Sequence, residues 1–115
     1  MSHIRDIEVV KPALFHPKAR AELRSFPAEV RREVGKAIFD LQKGAKLSMP
    51  LSMKMPSVAA GVEELRIRDR SGVYRVFYLI KLETSVMIFH AFQKKTAKTP
   101  PHGIELARMR PKEML

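Results

Sequence analysis

Three strand-like segments follow one another between Val62 and Phe92, and this run constrains the fold more than any other part of the chain. In the first, Leu65 and Ile67 alternate with Glu64, Arg66 and Arg68, giving one apolar and one strongly basic face. Asp69 to Gly72 reads DRSG, a set of standard turn residues. The second segment, Val73 to Leu82, is apolar on both faces except at Arg75. Lys81, Glu83, Thr84 and Ser85 form another turn, and Val86 to Phe92 is the third strand. Connections this short join antiparallel neighbours, so the predicted unit is a meander with its most apolar strand in the middle.

Such a sheet must bury a face against something. From Pro17 to Phe26, the residues Ala19, Leu23 and Phe26 fit one helix stripe, which the Phe26-Pro27 pair interrupts. Val30, Val34, Ala37, Ile38 and Leu41 predict a second helix, with Pro27 in its first turn, Glu29 at the positive end of its dipole and Gly44 as its C-cap. The pair forms an αα-hairpin. Ile4 to Val10 reads as a short edge strand limited by Pro12, and KLSMPLSMKMP, from Lys46 to Pro56, as a proline-punctuated loop with methionine as flexible filler. A final short helix is expected near Gly103 to Arg110, stopped by Pro111. The order β, α, α, β, β, β, α predicts an α+β fold, with the strand and αα-hairpin packed on a twisted antiparallel sheet and the helices on one face.

A chain of 115 residues holds one hydrophobic core, so a single domain over 1–115 is expected. Cysteine is absent, which excludes disulfides, thiolate zinc sites and a cysteine nucleophile. The four histidines, His3, His16, His90 and His102, are scattered, so neither a structural metal nor a cofactor is expected. The longest apolar runs, Val76 to Ile80 and Val86 to Phe89, are far below the roughly 18 residues of a membrane span. Met1 to Asp6 contains no signal-like apolar stretch, and a cytoplasmic protein without membrane association is expected. Lysine and arginine outnumber aspartate and glutamate 22 to 12, a net charge of +10 that favours polyanions, above all nucleic acid.

The distribution of that charge is informative. Phe89 to Thr99 reads FHAFQKKTAKT, a core strand that runs into lysines with no acid to neutralise them. In a meander, Arg66 and Arg68, Arg75 on the central strand, and Lys94 and Lys95 at the end of the third converge across one sheet face. The alternative is a solvated face in which Arg66 and Arg68 pair with Glu63, Glu64 or Asp69. Arg75 weighs against it, because a guanidinium in a core-like strand carries a desolvation cost unless it lines a cleft or is paired. Guanidinium forks suit phosphate, and Tyr74, Tyr78 or Phe92 would stack bases if exposed. RNA also carries its own nucleophile, the ribose 2′-OH. Clustered cations would stabilise the pentacovalent phosphorane without a metal, and a lysine crowded by cations has a lowered pKa suited to base work. His90 is the other proton carrier near neutrality. Lys54 lies just ahead of the strands, and Lys98, past the last strand, is expected to touch the nucleic-acid backbone.

The segments GVEELRIRDRSGVYRVFYLIK, FHAFQKKTAKT and IELARMR together resemble the phage-derived, HigB-related branch of the RelE/ParE toxin superfamily, over about Lys11 to Arg110. The combination of RIRD, YRV, FQKKT and IELA makes the resemblance specific. It implies the toxin of a type II toxin–antitoxin pair, a ribosome-dependent endoribonuclease that cuts mRNA. The implied partners are the ribosome, mRNA and a helix-turn-helix antitoxin that holds the toxin inactive in a hetero-oligomer. It further implies that Arg75 in YRV binds the active-site phosphate. Arg66 and Arg68 then stand where ribonucleolytic relatives place basic residues, and Lys95 with Lys94 stabilises charge on the scissile phosphate. Glu64 departs from the pattern at a position where certain relatives carry a lysine base. PPHGIELARMR lacks the aromatic that some relatives stack on the substrate base. Lys54, Lys95 and His90 therefore contend for the general base. Two other readings share the same residues: a noncatalytic nucleic-acid-binding module, and a ParE-like toxin that inhibits gyrase.

Overall fold

The computed structural model describes residues 10–94 and 101–114. The predicted strand at Ile4 to Val10 therefore falls almost wholly outside the described residues. The first observed strand is β1, Ala13–Phe15, and it runs parallel to β5, Ser85–Lys94, with Leu14 opposite Met87. Among the described residues, four further strands and three helices complete the fold. Helices α1, Pro17–Arg24, and α2, Ala28–Gln42, form the αα-hairpin. They are followed by β2, Ser52–Lys54, β3, Glu63–Asp69, and β4, Gly72–Lys81, and α3, Pro101–Glu113, comes after β5. The sheet order is β1-β5-β4-β3-β2, so the predicted meander forms its centre and a parallel edge strand is added to it.

The helices end where local chemistry requires. His16 caps α1, its Nδ1 accepting from the Lys18 amide at 3.1 Å, with Pro17 in the first turn where no N–H is needed. The helix stops at Arg24, two residues before the one that Pro27 forces out of helical geometry. At the end of α2, Gly44 adopts φ +96°. The amides of Gly44 and Ala45 return to the Leu41 and Asp40 carbonyls at 3.0 Å each, a Schellman closure that favours glycine.

Two cores lie on opposite faces of the sheet. Val30, Val34, Ile38 and Leu41 of α2 meet Leu65, Ile67, Val76, Tyr78, Val86 and Ile88. On the other face Ala107 of α3 packs with Val58, Val62, Phe77 and Phe89. The helices are thus not all on one face, as the sequence order suggested. A central strand apolar on both sides needs two covers, and α3 is the second. Nor does Pro111 stop α3, which continues to Glu113. Its last turn is tied to the start of α1 by the hydrogen bond of 2.7 Å between His16 Nε2 and Glu113 Oε1.

The segment read as a loop contains β2. Its Ser52 donates to or accepts from the Tyr78 hydroxyl at 2.7 Å, both residues being buried. Burial raises the phenol to about 12, so this hydroxyl stays protonated. Ser52→Ala should cost about 1–3 kcal/mol in urea unfolding, the penalty of a buried hydroxyl left without its partner. A loss below about 0.5 kcal/mol would show that Tyr78 finds another partner.

In β5 the pairing with β4 slips by one residue at Phe89, so that Phe77 faces His90 while Tyr78 faces Ile88. This is a β-bulge beside the most charged part of the sheet.

Candidate functional site

The short β3–β4 turn fixes the register of the site. Asp69 Oδ1 accepts from the Ser71 amide at 2.8 Å, and Asp69 pairs with Gly72, which sets Arg68 opposite Val73 and Arg66 opposite Arg75. On the other side of β4, Val73 faces Lys94 and Arg75 faces Phe92. Arg66, Arg68, Arg75 and Lys94 therefore come together on the α3 side of the sheet, toward the β3–β4 turn from the Phe77–Phe89 contact that α3 covers.

Two arginines directly opposite would repel. Glu64, on the same face, relieves this. Its Oε1 lies 3.2 Å from Arg75 Nε and 3.7 Å from Arg66 Nε, and both Glu64 and Arg75 are buried. Each Nε is close enough for ion pairing but not aligned for a hydrogen bond. Arg66 is half-buried, with Nη1 3.8 Å from Met49 Sδ, and Arg68 is exposed. An open cleft of about 500 Å³ runs along these residues, lined by Pro50, Arg66, Arg68, Val73 and Arg75.

The charges perturb one another. Arg75 is lowered from its usual value by burial, against the attraction of Glu64 and with the repulsion of Arg66 and Arg68. Lys94 is also lowered, by burial first and then by Arg75 and Arg66. The direction favours the neutral amine, the form that accepts a proton.

Lys95 and Lys98 lie outside the described residues. Two other expected residues are placed elsewhere. Lys54, on β2, stands opposite Glu63 of β3, and alternation puts it on the α1–α2 side, in a cleft with Leu41, Lys46 and Ile80. His90 shares the cation face but is buried beyond Phe92, its ring stacked at 5.0 Å. Its Nδ1 lies 3.2 Å from Glu22 Oε1 and 3.1 Å from Arg110 Nη1. Tyr74 and Tyr78 are core residues, so neither is available to stack a base.

The sequence reading missed the group that holds His90. Glu22 of α1 accepts from Arg110 Nη1 at 2.8 Å, from Arg110 Nη2 at 3.2 Å and from the Ala91 amide at 3.1 Å. Arg110 Nη1 also donates to the Phe89 carbonyl at 3.1 Å. These bonds occupy β5 backbone groups beyond the end of the short β1, so α1 and α3 together close an otherwise open strand edge. Among the described residues no three His, Cys, Asp or Glu side chains gather as a metal site would require. No helix among them is long and apolar enough to cross a membrane.

The family model described as Phage derived protein Gp49-like matches residues 21–112. The chain belongs to the phage-derived Gp49-like family. This Gp49-like chain is similar in structure to a mutant of the E. coli toxin RelE in the free state, with a TM-score of 0.60 and 18% identity, covering 92% of this chain and 99% of that one. It is also similar to the RelBE2 toxin–antitoxin complex of Mycobacterium tuberculosis, with a TM-score of 0.54 and 24% identity, covering 76% and 95%. Curated protein sequences give no match. The fold of the Gp49-like chain is that of the RelE toxins, as its sequence resemblance implied.

Proposed function

We propose that the Gp49-like chain, as one domain over residues 1–115, is the toxin of a toxin–antitoxin pair of the HigB-related branch. In this reading it cleaves ribosome-bound mRNA and is held inactive by a helix-turn-helix antitoxin. The observation that carries the reading is the meeting of Arg66, Arg68, Arg75 and Lys94 beside an open cleft on one sheet face. Support also comes from its RelE fold and from likeness to a chain of a toxin–antitoxin complex.

The chemistry follows from the substrate. The ribose 2′ oxygen attacks the adjacent phosphorus, a new O–P bond forms, and the bond to the 5′ oxygen breaks as that oxygen takes a proton from solvent, leaving a 2′,3′-cyclic phosphate and a 5′-hydroxyl. Charge accumulates on the phosphorane, where the forks of Arg75 and Arg66 stabilise it most. Arg68, at the exposed end of the row, orients the incoming backbone, and Lys98 contacts that backbone further along. Lys94, whose neighbours favour its neutral form, takes the 2′-OH proton, with Lys95 adding charge beside it. His90 and Lys54 take no direct part in this scheme, because the first is bound to Glu22 and Arg110 and the second faces the other side of the sheet.

Expression of the chain alone should arrest growth, and translated messages should acquire cyclic-phosphate ends within the coding region. Continued translation with intact messages, while the folded protein accumulates, would sink the nuclease reading. Salt-sensitive RNA binding without new ends would assign the same face to a noncatalytic binding module. Gyrase-dependent DNA breaks with intact mRNA would assign it to a gyrase-inhibiting toxin.

A further inference from the structure

A second surface lies on the α1–α2 side of the sheet, opposite the cation row. Phe15, Leu23, Val34 and Ile38 form the apolar floor of an open groove of about 300 Å³ between β1, α1 and α2, and Arg20, Arg24 and Arg31 stand along it. Arg20 lies over the Phe15 ring at 5.3 Å. No carboxylate among the described residues pairs with any of these three arginines. An apolar floor under unpaired cations is complementary to a segment that carries both acidic and apolar side chains.

Gly35 strengthens the inference. It lines the groove in the interior of α2, where glycine is a poor helix former. Close packing within the chain does not require it, since a β-carbon built there meets nothing within 4 Å. The missing side chain serves no contact inside this molecule, and what it provides is room at the surface for something outside. One turn further on, Phe39 is exposed at 49%, which extends the apolar strip past the groove.

We propose that this groove is the docking site for an acidic, amphipathic segment of the antitoxin, laid against Gly35 with its carboxylates on Arg24 and Arg31. The assignment rests on the toxin–antitoxin reading given above. A nucleic-acid strand would use the arginines but gain little from an apolar floor, and therefore fits the groove less well. Docking here leaves the cation face on the other side of the sheet unoccupied, so this contact would tether the partner and a different part of the partner would reach the active cleft.

The test uses the full chain and the protein encoded by the adjacent reading frame, with binding followed by titration calorimetry. Gly35→Gln puts a good helix former in the groove, and it should melt no lower than the parent while raising Kd at least about tenfold. The double charge reversal Arg24→Glu with Arg31→Glu should do the same with an unchanged far-ultraviolet circular dichroism spectrum. The proposal is overturned if both variants bind within twofold of the parent, or if the adjacent protein does not bind at all. It is equally overturned if the variants lose ribosome association while keeping the protein complex, which would give the groove to RNA. Failure of the toxin reading looks different: the complex forms and weakens as stated, yet the chain expressed alone does not arrest growth.

Discussion

Arg75→Lys should lower cleavage of ribosome-bound mRNA at least about tenfold, and Arg75→Ala should lower it by about 10²–10³-fold, as when a donor to a developing oxyanion is removed. The two variants separate charge from shape. Lysine keeps a cation near Glu64, so the buried carboxylate retains an ionic neighbour and the domain should stay folded. What lysine cannot supply is the planar fork that donates two hydrogen bonds to one phosphate. Alanine removes both and exposes the protein to the larger cost of a buried carboxylate with one partner fewer. Single-turnover cleavage assays with a thermal melt of each variant would read both effects. Full activity in Arg75→Lys would mean that the fork does not hold the scissile phosphate and that the site lies elsewhere.

The second large effect concerns Glu22, on α1 and outside the cation row. Glu22→Ala should destabilise the fold by about 3–5 kcal/mol, because Arg110, itself buried, loses its carboxylate partner. The same contact predicts a pH dependence. Burial pushes the Glu22 carboxyl up, but hydrogen bonds from His90, Arg110 and the Ala91 amide outweigh it and hold the group at about 2, against an ordinary 4.5. A carboxyl lowered by folding contributes stability that is fully present above its unfolded value and is lost as pH falls through the folded one. The parent should therefore lose on the order of 2 kcal/mol between pH 4.5 and 2 from this group, a figure reduced for its partial exposure. Urea unfolding at stepped pH should show the loss in the parent and a flatter profile in Glu22→Ala. Parallel profiles would mean that Glu22 titrates normally.

The two helices of the hairpin were legible because their apolar residues repeat at helical spacing and their ends carry proline and glycine. The meander was legible for a similar reason, and its tight DRSG turn made the Arg66–Arg75 pairing a local matter. Glu64 was recognised as a partner for arginine, but not that one carboxylate sits between Arg66 and Arg75. Other features were hidden by distance. Glu22 reads as one more charge on a polar helix, and its partners are 68 to 88 residues away. β2 is three residues long and is surrounded by prolines and methionines, so no alternation could develop. Lys54 was read as lying in a loop just ahead of the strands but is the last residue of β2, and which side it takes depends on the pairing of β2 with β3, which no residue in that segment advertises. The position of α3 was hidden because Ala107 is its one fully buried apolar residue, too little for a clear stripe.

The slip at Phe89 has a geometric consequence for the chemistry. Val86 and Ile88 point to the α1–α2 core, and an unbroken two-residue alternation would send His90, Phe92 and Lys94 the same way. One additional residue reverses the phase. Ala91 then takes the core side, and Lys94 emerges beside Arg75. The charge of the cleft thus depends on parity as well as composition: the same residues, paired without that slip, would turn Lys94 away from Arg75 and onto the other side of the sheet.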